Sequence, residues 1–149
     1  MTKTWTIVMA WTLLLACTWV PALAQKSEHT HKEERHFKVT TPVDIKAAWL
    51  QISTKVSDAE KLLANKQTEA VHEIGERLEI AVHVLKEKST MVTGDKQARL
   101  ASVLEQLDKA VDDLHHAAED KDAEQARLEL SKIKSLLPLV VAQYPPGVL

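Results

Sequence analysis

The chain has 149 residues, with 19 Lys and Arg against 21 Asp and Glu, and its formal charge is −2. That balance, without any Lys/Arg cluster, excludes a nucleic-acid binder, which needs a concentrated basic surface to displace counterions. With 3 glycines and 1 cysteine in the whole chain there is no phosphate-cradling glycine loop, no Gly-x-Ser-x-Gly nucleophile elbow and no disulfide framework.

The N-terminus reads as a secretory signal. Lys3 supplies a positive start, an apolar run follows from Trp5 to Ala16, and Ala22-Leu23-Ala24 offers a small-x-small cleavage pattern. The expectation is cleavage after Ala24 and a periplasmic or secreted protein, with no transmembrane span in the mature chain because the apolar run is too short. Leu14-Leu15-Ala16-Cys17 also resembles a lipobox, so a lipid anchor at Cys17 is the alternative. Trp5, Trp11 and Trp19 leave with the signal, so the remaining aromatics are Phe37, Trp49 and Tyr144 and the core must be aliphatic. The roughly 125 residues left suit a single domain.

Residues 25–41, QKSEHTHKEERHFKVTT, are polar and charged without sustained apolar periodicity and read as a flexible leader. Thr41-Pro42 then announces a helix, with Thr41 as cap, Pro42 at the first position and Asp44 on the positive end of the dipole. The first helix is expected from about Val43 to Asn65, with Ile45, Ala48, Trp49, Ile52, Val56, Ala59 and Leu63 at steps of three and four. After a short Lys66-Gln67 connection, a second stripe (Val71, Ile74, Leu78, Ala81, Val82, Leu85) predicts a helix from about Thr68 to Glu87. Residues 89–94 make a turn, with Thr93 and Asp95 as candidate caps. The third helix runs to about Glu119 on Leu100, Val103, Leu104, Leu107, Ala110, Val111, Leu114 and Ala118. A fourth stripe at Ala126, Leu130, Ile133, Leu137 and Val140 follows the Asp120-Lys121-Asp122 turn. Pro138 should kink or end that helix, because it lacks an amide donor and its ring clashes with the preceding turn.

These stripes predict an all-α fold: an antiparallel up-down four-helix bundle over 42–144, preceded by signal (1–24) and leader (25–41), with a loose tail at 145–149.

The seven histidines are the candidates for chemistry. His29, His31 and His36 lie on the leader, where neutral imidazoles suit Cu(II), Ni(II) or Zn(II). At 100° per residue, His72, Glu76, Glu79 and His83 share the helix face opposite the Val71/Leu78 stripe, which predicts one exposed His/Glu row. Adjacent members can share an ion, whereas His72 and His83, about three turns apart, cannot both bind it within one helix. His115 lies at the flank of helix three beside Asp108 and Asp112, a place for a partly buried histidine oriented by a carboxylate, and His116 faces solvent. Glu69-x-x-His72 and Asp112-x-x-His115 invite comparison with di-iron carboxylate bundles. That comparison fails on the pattern, because His72 points away from the apolar stripe and no interior carboxylate is evident on helix one or four. A haem is disfavoured by the lack of Cys-x-x-Cys-His, of a methionine on helix one and of a histidine on helix four.

Val71-His72-Glu73-Ile74-Gly75-Glu76-Arg77-Leu78-Glu79-Ile80-Ala81, with Leu107 to Ala118, resembles an uncharacterised family of small exported bacterial proteins. The resemblance spans about Asp44 to Tyr144 and implies a periplasmic helical bundle; it brings no activity. Where an aromatic often follows the His-Glu pair in that family, this chain has Gly75-Glu76. The expected function is a noncatalytic exported binding module, holding a transition-metal ion through surface and leader histidines. The alternatives are a metal-free scaffold that contacts another envelope protein or a second copy of itself and, less favoured, a haem or redox carrier.

Overall fold

Four α-helices make up the regular structure of residues 39–149, which the computed structural model describes: α1 (Ile45–Ala64), α2 (Val71–Lys88), α3 (Asp95–Glu119) and α4 (Ala123–Val141). A short 3-10 turn, Thr68–Ala70, leads into α2, and there is no strand among the described residues. None of these helices is long and apolar enough to cross a membrane.

Each helix forms because its apolar residues recur at steps of three and four and can be buried together. On α1 the buried positions are Ile45, Ala48, Ile52, Val56, Ala59 and Leu63; on α3 they include Leu100, Leu104, Leu107, Val111 and Leu114. They join one aliphatic core with Leu78 and Leu85 of α2 and Leu130, Ile133 and Val140 of α4. Trp49 packs at its edge, and Tyr144 is buried in it.

The helix ends show where local chemistry departs from the expected boundaries. Asp44, not Thr41, caps α1: its carboxylate accepts the Ala47 amide at 2.8 Å, and Pro42 is buried ahead of the cap. Gly94 (φ 63°) precedes α3 without any side-chain cap, so neither Thr93 nor Asp95 takes that role. α1 and α3 end alike. The Gln67 amide reaches Leu62 O (2.9 Å) and the Lys66 amide Leu63 O (3.2 Å); the Asp122 amide reaches Ala117 O (2.8 Å) and the Lys121 amide Ala118 O (3.2 Å). These are Schellman closures, whose left-handed residue is usually glycine and is here Lys66 (φ 60°) or Lys121 (φ 59°). Asp122 then turns to capping α4, accepting the amides of Glu124 and Gln125.

Pro138 lies inside α4 instead of ending it, with the helix continuing to Val141. Tyr144 is buried and hydrogen-bonded to Ser89, at the end of α2, and Val148 and Leu149 lie half-buried against the core.

Helix neighbours follow the chain: α1 touches α2, α2 touches α3, α3 touches α4, and α1 also meets α4. Specific contacts give the register. Lys88 Nζ donates to Val43 O and Gln51 Nε2 to Arg77 O, both at 2.7 Å. Between α2 and α3 the pairs are Glu79 with His115, and Lys86 with Asp108 and Glu105, while Glu69 of the 3-10 turn meets Lys121 just past the end of α3. Glu60 meets Lys134, and Arg127 donates to Leu63 O, between α1 and α4.

Candidate metal centre

The histidine-carboxylate cluster is built where Gly75 of α2 lies against His115 of α3. Gly75 makes the approach: a Cβ placed there would lie 2.8 Å from His115 Cβ and 3.0 Å from its Cα, well inside ordinary contact. Glycine in a helix interior costs about 1 kcal/mol relative to alanine, so its presence in α2 marks a packing requirement. The absent side chain lets His115 sink between the helices, where it is only 4% exposed.

Around His115 stand three residues of α2. Glu79 Oε1 lies 2.7 Å from His115 Nδ1. The His72 ring stacks on the His115 ring, with centroids 4.4 Å apart and planes inclined by 23°. Glu76, one turn beyond His72, is 2% exposed. One ligand atom from each of His72, Glu76 and His115 falls within 4.8 Å of the others. Donors bound to one ion at about 2.0–2.2 Å stand some 3–4 Å apart, so small side-chain adjustments bring this group to coordination distance. Two imidazoles and a carboxylate suit a borderline divalent ion such as zinc, nickel or copper(II).

The expected His/Glu row on α2 is therefore corrected. It is not one exposed face: Glu76 is buried, His72 and Glu79 are half-buried, and His83 alone is exposed. His72 and Glu76 come together, Glu79 turns to His115, and His83 falls outside the group. His72 is half-buried, and its ring lies on that of His115. His115 is oriented by a carboxylate, as its flank position suggested, but that carboxylate is Glu79 of α2 and neither Asp108 nor Asp112. Asp108 is taken by Lys86, and Asp112 lies 3.4 Å from the exposed His116. His29, His31 and His36 lie outside the described residues, as do Cys17 and the signal-like segment.

One interior carboxylate escaped the sequence pattern. Glu129 of α4 is 1% exposed, its Oε1 accepting from Gln125 Nε2 (2.6 Å) and Lys132 Nζ (2.7 Å). It sits outside the histidine group, so it does not revive a di-iron arrangement. A cleft of about 590 Å³ is lined by Lys66, Gln67, Thr68, Glu69, Ala70 and Lys121 and includes none of the clustered donors.

Ion pairs from Lys86 also join α2 to α3. Burial lowers the Lys86 pKa, but its bonds to Asp108 and Glu105 outweigh that and hold the ammonium above its ordinary range.

Comparison with known proteins finds no match to this chain among family models, curated proteins or solved structures.

Proposed function

We propose that this protein is a noncatalytic, exported helical module that binds a transition-metal ion at His72, Glu76 and His115. The observation that carries the reading is the convergence of these three donors from two helices within 4.8 Å, two of them buried. Burying imidazoles and carboxylates together costs free energy that hydrogen bonds and ion pairs must offset, and a bound ion would add to that compensation. Zinc, nickel and copper(II) are the candidate ions.

The paired contacts from Val43/Lys88 to Glu60/Lys134 support an up-down antiparallel bundle as the frame. Export rests on the signal-like N-terminus, through Ala22-Leu23-Ala24. An ion spanning α2 and α3 would crosslink them, and at a hundredfold excess over its Kd it would stabilise the fold by about 2.7 kcal/mol.

Isothermal titration of the purified protein with zinc, nickel and copper tests the reading. The expected result is one saturable site per chain, with a rise in Tm, that disappears in His72→Ala and Glu76→Ala. A triple His29→Ala, His31→Ala, His36→Ala variant should keep that site. No saturable heat and no change in melting with excess metal would refute the proposal. Chelator-insensitive capture of a defined envelope protein by a protein that binds no metal would point to the scaffold instead.

A further inference from the structure

We infer that Glu79 is a positioning residue of this site: it fixes the proton of His115 on Nδ1 and so presents the Nε2 lone pair to the ion. The inference rests on the metal reading above and names how the site is held ready.

Neutral imidazole has one protonated and one lone-pair nitrogen, and its neighbours choose between them. A carboxylate can only accept, and Glu79 Oε1 stands 2.7 Å from His115 Nδ1, so the N–H belongs on Nδ1. The direction of the ring is set as well. Gly75 brings α2 against the Cα and Cβ of His115, and the stacked His72 ring covers its face. Between backbone, neighbouring ring and carboxylate, His115 has little rotational freedom. A carboxylate that orients a metal-binding histidine also makes it a stronger donor, and removing such a partner typically weakens metal affinity 10- to 100-fold. Glu79 lies on the same helix as His72 and Glu76, so α2 supplies two ligands and the hold on the third.

The test combines two readouts. Nitrogen-15 spectra of the metal-free protein at neutral pH report the His115 tautomer, and zinc titration reports affinity. The wild type should show Nδ1–H. Glu79→Ala should lose that preference and bind zinc about 10- to 100-fold more weakly. Glu79→Gln, which still offers a carbonyl oxygen to Nδ1–H, should keep the tautomer and recover part of the affinity; a merely structural Glu79 would not distinguish the two variants. A wild-type His115 that is Nε2–H or doubly protonated, or a folded Glu79→Ala with wild-type tautomer and zinc affinity, would overturn the inference. If the wild type binds no zinc, the metal reading falls and Nε2 loses its ligand role, while the spectra still decide whether Glu79 sets the tautomer.

Discussion

Gly75→Ala is the sharpest single perturbation. The added methyl would meet His115 Cβ at 2.8 Å, its Cα at 3.0 Å and its Cγ at 3.3 Å. Carbon atoms rest at about 3.5–4.0 Å, so α2 and α3 must part by roughly 0.5–1 Å at this level. The obstructing atoms are backbone and Cβ, and no rotamer change removes them. Overpacking of this kind costs about 1–3 kcal/mol. Replacing a mid-helix glycine returns about 1 kcal/mol of helix propensity. The sterics win by about 1 kcal/mol on the central values, a fall in Tm of roughly 4 °C for a domain of this size. The same displacement carries His115 away from His72 and Glu76. Thermal melts followed by circular dichroism, with and without zinc, should show a lower Tm for the metal-free variant and a smaller zinc-induced rise. A variant that melts at or above the wild-type temperature with an undiminished zinc effect would refute the close-approach argument.

Other substitutions probe the frame. Lys121→Gly should raise stability to urea by about 1 kcal/mol, because Lys121 holds a left-handed φ that glycine adopts without strain, and the exposed pair with Glu69 contributes little. Pro138→Ala should raise it by about 1–3 kcal/mol, since the exposed proline sits within α4, where it offers no amide. Leu107→Ala, which empties a fully buried position on α3, should cost about 2–5 kcal/mol in the same assay. The single tyrosine gives a clean pH probe: burial pushes the Tyr144 phenol up, more than its bond to Ser89 lowers it. Its ultraviolet titration should therefore have a midpoint above about 10 in the folded protein. A folded pKa raised in this way means that the contribution of the neutral buried phenol is complete below the unfolded value and is lost as pH rises through the folded one. Tyr144→Phe should remove that part of the alkaline loss of stability.

The helices were legible because each carries a stripe at steps of three and four, and their approximate spans needed nothing more. Their ends depended on individual groups. Thr41-Pro42 looked like a start, yet the Asp44 carboxylate reaches the Ala47 amide and begins α1 later. Pro138 signalled a kink or a stop, and the helix does not stop there but continues to Val141. The candidate site was half legible. The spacing of His72, Glu76 and Glu79 put them on one face, but periodicity reports only where a helix meets the common core. It says nothing about a residue from another helix that enters at the flank. His115 is 36 positions from Glu79, and only the folded register joins them. The available hint was Gly75, a poor helix former in an otherwise regular stretch. Glu129 was missed for a related reason: its burial depends on Gln125 and Lys132 satisfying one carboxylate oxygen, which composition does not reveal.

All three donors and Glu79 belong to α2 and α3, which are consecutive in the chain. Assembling them requires the entropic cost of closing only the loop between α2 and α3, while α1 and α4 supply no donor atom. A captured ion should thus protect the amides of α2 and α3 from hydrogen exchange more than those of α1 and α4.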